Sequence, residues 1–254
     1  MRKVIIPLNA FNTNSVKENG HGDFVPFIKE IGAQGIEVRK ELLTPRDYPL
    51  EKLKQHIQEH ELYTVFSAPV ELWSEDGKLN HEPLKEIVTE VHQLEPNLLK
   101  LPLGHYQNQS DLAQVKEFME QLPKGTKLMI ENDQTLHGGN VQHLKDFFEN
   151  ALKQDLDVTM TFDVGNWLFT NENVFEALHK LKPYVQYVHL KHVEEQESGL
   201  VTLPMPLHEK NEVLEAFPQH LPIALEFPLE RDDTAKRYVD YFSKEEQEAV
   251  TWSN

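Results

Sequence analysis

The sequence predicts a single (β/α)₈ barrel that spans residues 1–254 as one domain. Short apolar segments rich in β-branched residues alternate with longer segments that show the 3.6-residue periodicity of amphipathic helices. The strand-like segments begin about 27 to 36 residues apart, which is the length of one βα unit with its loops. The chain has 254 residues, a size that such barrels reach without division into domains.

Eight strands are predicted along the chain, and each is followed by a helical pattern. The strands are predicted at Lys3–Asn9, Gly35–Arg39, Leu62–Ser67, Asn97–Leu103, Thr126–Glu131, Val158–Asp163, Val185–Lys191 and Leu221–Glu226. Ser110 and Asp111 have the character of a helix N-cap, and Gly32 or Gly125 suits a helix end. The main alternative is an open doubly wound sheet. That fold usually has a glycine-rich phosphate loop after its first strand, whereas this chain reads PLNAFNTNSVKENG, so the barrel is favoured.

The composition excludes several classes of function. Acidic residues outnumber basic ones by 42 to 25, and the net charge of −17 disfavours nucleic acid and anionic membranes as partners. A phosphorylated substrate would therefore need local cations. The chain has no cysteine, which excludes disulfides, thiolate metal sites and thiol nucleophiles. Its N-terminal apolar stretch is too short for a signal peptide, and no run reaches membrane-spanning length, so a cytoplasmic location is expected.

Four successive strands in the second half each end on an ionisable residue. These are KLMIEN at Glu131, VTMTFD at Asp163, VQYVHLK at His189 and PIALEF at Glu226. Burying a charge without a partner is costly, and the C-terminal strand ends of a barrel meet at one mouth. Three carboxylates and one imidazole suit one divalent metal ion, with Mn²⁺, Mg²⁺ or Co²⁺ favoured and Zn²⁺ compatible. For any one carboxylate alone, a salt bridge with Arg39, Lys100 or Lys191 is the favoured explanation, but four ionisable residues at equivalent positions favour a metal site.

Period-2 alternation brings further charged residues to the same mouth. Arg39 and Lys191 are predicted to bind oxyanions or a phosphate of the substrate, with Lys100 as a third candidate. Glu37 shares the face of Arg39, and an ion pair within the strand is as compatible with the sequence as substrate binding. His105 and His137 follow strands four and five, and surface loop positions are expected for both.

Five motifs together resemble a known family. They are GIEVRKELL (35–43), IEN (130–132), FDVGN (162–166), VHLKH (188–192) and ALEF (224–227). Their order and spacing resemble the xylose isomerase-like barrels, which include ketose 3-epimerases, hydroxypyruvate isomerases, inosose dehydratases and endonuclease IV-type nucleases. The resemblance extends over essentially the whole chain.

The resemblance implies roles for individual residues. Glu131, Asp163, His189 and Glu226 would be the metal ligands, and the two glutamates would also form the acid/base pair on opposite faces of the substrate. Asn166 and a basic group near the strand-seven loop would bind substrate hydroxyls. Asn166 stands where the family usually has histidine, and an amide cannot transfer a proton near neutral pH.

These observations predict a metal-dependent isomerase or epimerase that acts on a small sugar, sugar phosphate or keto-polyol through an enediolate. Glu131 or Glu226 would remove the proton, and the other would return one. An inosose dehydratase-like lyase and a non-catalytic carbohydrate-binding barrel are the alternatives. A nuclease is disfavoured by the charge of −17 and by Asn166. The sequence leaves open whether the chain forms a homodimer.

Overall fold

The computed structural model describes residues 1–207 and 211–244 and contains ten strands. The strands are β1 (Val4–Pro7), β2 (Gly35–Arg39), β3 (Tyr63–Ser67), β4 (Leu98–Pro102), β5 (Lys127–Glu131), β6 (Thr159–Asp163), β7 (Val185–Leu190), β8 (His192–Gln196), β9 (Gly199–Leu203) and β10 (Ile223–Leu225). Eight of them, β1 to β7 and β10, pair in parallel and close into a barrel. The (β/α)₈ prediction is therefore confirmed. The prediction of one domain over 1–254 includes residues outside the described ranges and stays a prediction.

Helices connect the strands on the outside of the barrel. They are α1 (Thr13–Asn19), α2 (Val25–Glu30), α3 (Leu50–Glu59), α4 (His81–Leu94), α5 (Leu112–Glu120), α6 (Val141–Lys153), α7 (Asn166–Phe169), α8 (Val174–Leu181), α9 (Glu212–Glu215) and α10 (Asp233–Ser243). Asp111 caps α5 as predicted, since its carboxylate accepts a hydrogen bond from the Ala113 amide at 3.1 Å. Gly32 follows α2 with a φ of +84°, where a residue without a side chain is favoured. Among the described residues, no helix combines the length and apolar character needed to span a membrane.

The inside of the barrel has an apolar layer beneath a polar one. Six buried side chains from different strands form the apolar layer: Ile5, Val65, Leu98, Met129, Tyr187 and Ala224. Met129 lies two residues before Glu131, and Ala224 lies two residues before Glu226. Because side chains alternate along a strand, the charged residues stand above this layer at the C-terminal mouth. The predicted inward register is thereby confirmed.

Most of the predicted strands extend one or two residues beyond the observed ones, and two differences lie near the site. β10 has three residues, and Glu226 directly follows it, with its amide donating to the Leu190 carbonyl at 2.9 Å. The antiparallel hairpin of β8 and β9 follows β7 and was not predicted. β8 is mostly polar and ends in exposed residues, whereas β9 has the sequence GLVTL and is mostly half-buried. Gly199 at the turn has a φ of +107°.

Candidate functional site

The four predicted metal ligands lie together at the C-terminal mouth. Each contributes one oxygen or nitrogen atom, and these atoms all lie within 4.8 Å of one another. Asp163 and His189 are fully buried, whereas the side chains of Glu131 and Glu226 are 14% and 9% exposed. The two glutamates are therefore the members of the set that are open toward the mouth, where a substrate would enter.

His189 is oriented by a carboxylate behind it. Its Nε2 atom lies 2.9 Å from Glu37 Oε2, which also accepts a hydrogen bond from the Tyr187 hydroxyl at 3.0 Å. The opposite nitrogen, Nδ1, lies 2.5 Å from Glu226 Oε2 and 3.3 Å from Glu131 Oε1. An ionised carboxylate at Nε2 favours a proton on that nitrogen, so Nδ1 is the atom that would bind a metal. Substrate binding by Glu37, which stays a prediction, would require it to leave these partners.

Asp163 is held by the turn that follows β6. Its Oδ1 atom accepts hydrogen bonds from the amides of Gly165 and Asn166, both at 2.9 Å, which leaves Oδ2 facing the cluster. A Cβ atom at Gly165 would lie 2.8 Å from side-chain carbons of Lys191 and Val193. The turn therefore requires glycine, and it fixes the carboxylate relative to β7.

Asn132 joins β5 to β6 just behind the ligands. Its Nδ2 donates to the Asp163 carbonyl at 2.9 Å, and its Oδ1 accepts from the Asp163 amide at 2.8 Å. The Asn132 side chain thus makes the hydrogen bonds that a main-chain residue would otherwise make between β5 and β6, the strands that carry Glu131 and Asp163. This residue follows Glu131 in the IEN motif, and that position was the only signal in the sequence for its role.

Two lysines lie among the acidic groups. Lys100 Nζ lies 2.8 Å from Glu131 Oε1 and 3.0 Å from Glu37 Oε1. Lys191 Nζ lies 2.9 Å from Asp163 Oδ2 and 3.4 Å from Glu226 Oε1. Both lysines were predicted to reach the mouth, and the structure places both there in a buried environment. Their binding to substrate stays a prediction.

Arg39 completes the cationic part of the site. Its guanidinium lies 3.0 Å from Glu37 Oε1 and 3.7 Å from Glu226 Oε1, and its Nε donates to Glu41 at 2.8 Å. The ion pair with Glu37 that the sequence left open is therefore present. Arg39 also contacts Glu226, so it links the predicted ligand set to the opposite side of the barrel.

The charges shift the pKa values of the buried groups. Burial alone would raise the pKa of Glu37, but Lys100 and His189 lower it well below its usual range. Burial and Lys100 disfavour a protonated His189, yet the carboxylates of Glu37, Glu226 and Glu131 outweigh them and raise its pKa to about 9. Burial raises the pKa of Asp163 to about 6, against the opposing effect of Lys191.

The cluster is close to neutral at pH 7 without a metal. Four carboxylates, those of Glu37, Glu131, Asp163 and Glu226, face four cationic groups: Arg39, Lys100, Lys191 and the protonated imidazole of His189. Buried charges persist only when they are compensated in this way. The compensation explains how so many ionisable groups are accommodated at the end of an apolar barrel.

The donor set fits a hard divalent cation. The set offers three carboxylate oxygens and one imidazole nitrogen, and Glu37 fixes the tautomer of that imidazole. Such a set matches the preferences of Mn²⁺, Mg²⁺ or Co²⁺. The ammonium groups of Lys100 and Lys191 contact oxygens of this set, so a bound metal would share those oxygens with them.

Asn166 lies in the site, but its amide is used by the protein. Its Nδ2 donates to the Asn132 carbonyl at 2.8 Å. Its Oδ1 accepts from Lys191 at 3.0 Å and from Gln134 at 3.1 Å. Hydroxyl binding by Asn166 stays a prediction, while the observed contacts position Lys191.

Besides Asn132, two residues of the site were missed in the sequence. Asn9 donates from Nδ2 to Glu226 Oε1 at 2.7 Å, and Tyr187 donates to Glu37. Asn9 ends the first predicted strand, but its amide is not ionisable, so the rule used for the other strand ends does not select it. Tyr187 lies two residues before His189 and shares its inward face, but its hydroxyl partner lies on a distant strand.

Solved structures with the same fold have varied functions. The IolI protein, whose structure contains a zinc atom, is 16% identical, with 95% of this chain and 98% of that chain covered and a TM-score of 0.68. The probable 3-DHS dehydratase AsbF from Bacillus anthracis is 13% identical, with 96% of both chains covered and a TM-score of 0.60. The 3-keto-D-glucoside 4-epimerase YcjR from E. coli is 16% identical, with 95% and 99% covered and a TM-score of 0.59. At these identities the similarity establishes the fold.

A family assignment comes from the sequence. No curated protein matches the chain significantly. The family described as xylose isomerase-like TIM barrel matches residues 25–224, which is most of the chain and includes all the barrel strands except β1 and the end of β10. The chain belongs to the xylose isomerase-like TIM barrel family.

Proposed function

We propose that the protein is a metal-dependent isomerase or epimerase that acts on a small sugar, sugar phosphate or keto-polyol through an enediolate. The observation that carries this proposal is the pair of glutamates on either side of Asp163 and His189, the half-buried Glu131 and the buried Glu226. They belong to β5 and to the end of β10, which β6 and β7 separate around the barrel. Two carboxylates that reach one cluster from different strands suit removal and return of a proton.

The two glutamates are held in different surroundings. Glu226 receives a hydrogen bond from Asn9 and lies near Arg39 and Lys191. Burial would raise its pKa, but Lys191, His189 and Arg39 lower it well below the usual range. It is thus ionised across the neutral pH range, and the same cations weaken it as a base. Glu131 has Lys100 as its nearest cation, and it faces Glu226 across His189.

A bound divalent metal would polarise the substrate carbonyl as a Lewis acid, an effect worth several kcal/mol. The residues of the chain supply the proton transfer, for which a positioned carboxylate contributes roughly 10² to 10⁴ in rate. One glutamate removes the proton next to the carbonyl. The other glutamate enters this step protonated and returns a proton, to the opposite face for epimerisation or to the adjacent carbon for isomerisation.

The buried cations favour an anionic substrate or intermediate. When a divalent metal replaces the proton of His189, the balanced cluster acquires one net positive charge. That charge is offset when an enediolate, a carboxylate or a phosphate binds. The whole chain carries −17, so these cations provide the local attraction that such a substrate needs.

A lyase is the second candidate function. Lys191 Nζ lies between Asp163 and Glu226, where its ammonium group can hydrogen-bond a departing hydroxyl after proton removal by a glutamate. AsbF, one of the structures with this fold, is a probable dehydratase. Mass spectrometry of the product separates the two functions, since elimination lowers the substrate mass by one water.

Hydrogen exchange tests the proposal without knowledge of the substrate. The metal-loaded protein is incubated in heavy water with a panel of ketoses, ketose phosphates and keto-polyols, and carbon-bound deuterium is measured by NMR. We expect exchange with at least one compound, reduced by roughly 10² to 10⁴ in both Glu131→Gln and Glu226→Gln. Glu120→Gln, an exposed change on α5, is the matched control. Full exchange in both active-site variants, or none in the wild type with any compound, would contradict the proposal.

A further inference from the structure

A second group of metal-binding side chains lies on three loops at the same end of the barrel. Glu71 follows β3, His105 follows β4 and His137 follows β5. Each contributes one ligand atom, and these atoms all lie within 4.8 Å of one another. None of the three belongs to the inner cluster. We propose that Glu71, His105 and His137 form a second divalent-metal site, of the class that binds zinc.

The contacts among the three side chains converge on one carboxylate. His137 Nε2 lies 2.8 Å from Glu71 Oε1, and His105 Nε2 lies 3.9 Å from Glu71 Oε2. Each oxygen of Glu71 thus faces a different imidazole. In tetrahedral zinc sites with metal–ligand distances near 2.1 Å, ligand atoms lie about 3.4 Å apart. The two observed distances lie on either side of that value.

The imidazole rings of His105 and His137 stack, with centroids 3.5 Å apart and an angle of 22° between the planes. Stacked rings present their nitrogen atoms side by side. A metal bound to both Nε2 atoms would draw the rings apart through side-chain rotation. Both side chains are partly exposed, at 30% and 28%, so this rotation meets little obstruction.

The backbone that carries His105 is rigid. Its amide donates to the Trp73 carbonyl at 2.9 Å, and Trp73 is completely buried. The preceding Gly104 has a φ of +71°, and a Cβ atom there would lie 2.3 Å from the same carbonyl oxygen. The loop after β4 is therefore closely packed on the loop that bears Glu71. Ligands on such fixed backbones lose little freedom when a metal binds.

The backbone near His137 is fixed as well. Asp133 accepts a hydrogen bond from the Thr135 amide at 2.8 Å, and Thr135 Oγ1 accepts one from the Gly138 amide at 3.0 Å. A Cβ atom at Gly138 would lie 2.6 Å from the Asp133 carboxylate, so the turn has room only for glycine. The position of His137 is set by this turn rather than by a free loop.

The ligand chemistry differs from that of the inner cluster. Two imidazoles and one carboxylate form the set that zinc sites with an open fourth position use, whereas the inner set is dominated by oxygen. The groove beside His105 and His137 also contains His143 and Asp146. Partial exposure of the ligands leaves the fourth position to water or to a small anion. From the sequence alone, surface loop positions were expected for both histidines.

Metal stoichiometry tests this site separately from the inner one. The full-length protein is stripped with a chelator and titrated with Zn²⁺, and bound metal is measured after equilibrium dialysis. We expect two equivalents in the wild type and one in His137→Gln or His105→Gln. Glu226→Gln should lose the inner equivalent and keep the outer one. His143→Gln, in the same groove, is the control that keeps both.

The affinity of the outer site should fall in His137→Gln by more than the 10–100-fold loss typical of residues that only support a ligand. Thermal unfolding of each metal-free variant checks the fold. Crystals soaked in Zn²⁺ provide a second measurement, with an anomalous peak expected between Glu71, His105 and His137. The inference would be overturned if the wild type bound a single equivalent of metal that was lost only in variants of the inner cluster, or if the anomalous peak lay at the inner cluster alone. If metal bound at the outer site but no substrate exchanged hydrogen, only the proposed function would be contradicted.

Discussion

Replacing Glu37 with glutamine should weaken metal binding at the inner cluster although Glu37 is not a predicted ligand. Glu37 Oε2 is shared by Tyr187 and His189, and Oε1 is shared by Arg39 and Lys100. An amide has one oxygen, so either orientation turns its NH₂ group toward two of these partners. With the oxygen toward the cations, His189 Nε2 must accept a hydrogen bond. Its proton then moves to Nδ1, the atom that would bind the metal.

The size of the effect follows from the burial of Glu37. Loss of a carboxylate that orients a metal-binding histidine typically costs 10–100-fold in affinity, which is the expected loss for Glu37→Gln. Removing one partner of a buried ion pair costs about 3–5 kcal/mol, which for a domain of this size lowers the melting temperature by roughly 6 to 20 °C. Both effects are expected because Glu37 is completely buried and has two cationic side chains within 3.0 Å.

Competition with a chromogenic chelator measures the affinity, and thermal unfolding of the metal-free protein measures the stability. Glu41→Gln is the matched control, because Glu41 contacts the same Arg39 at 2.8 Å but lies closer to solvent. It should change neither quantity strongly. A Glu37→Gln protein with wild-type metal affinity and lower stability would refute the tautomer argument and leave Glu37 a purely structural residue.

Four further predictions concern charge and backbone. The His189 pKa of about 9 means that its protonated imidazole stabilises the metal-free fold, fully so below about pH 6.5. About 3 kcal/mol of the free energy of unfolding should be lost as the pH rises through 9, as measured by denaturant unfolding at several pH values. Metal binding at pH 7 should release about one proton from His189, measured by calorimetry in buffers of different ionisation enthalpy, and affinity should rise from pH 7 to 9. Lys191→Met should raise KM for phosphorylated substrates more than for neutral ones, because it removes a buried cation from the site. Gly104→Ala should lower the melting temperature, since its Cβ would lie 2.3 Å from the Trp73 carbonyl at a φ of +71°.

The sequence predicted the barrel and the grouping of its inner site because both follow from strand periodicity. Glu131 and Asp163 end strands whose alternate residues pack inside the barrel, so their inward direction follows from that of Met129 and Thr161. Parallel closure then brings the ends of β5, β6, β7 and β10 to one mouth. No knowledge of distant contacts was needed for this step.

The charge balance and the outer loops could not be predicted in the same way. The hydrogen bond between Tyr187 and Glu37 joins residues 150 positions apart, and its geometry depends on the tilt of the strands. The meeting of His105 and His137 depends on turns fixed by Gly104 and Gly138, which no periodicity encodes. The missing information was therefore the tilt of the strands in the first case and the conformation of the loops in the second.

The number of buried cations is the feature of the site that most restricts its chemistry. A set of three carboxylates alone would leave a metal-loaded cluster with a net negative charge, which opposes formation of an enediolate. Lys100, Lys191 and Arg39 reverse that sign while Glu37 keeps the whole cluster neutral before the metal binds. When a divalent metal binds, His189 releases its proton, so the cluster gains two positive charges and loses one. The net positive charge therefore exists only in the metal-loaded protein. An anionic substrate should therefore bind more tightly after metal loading, and a neutral, inert sugar of the same shape should show a smaller gain.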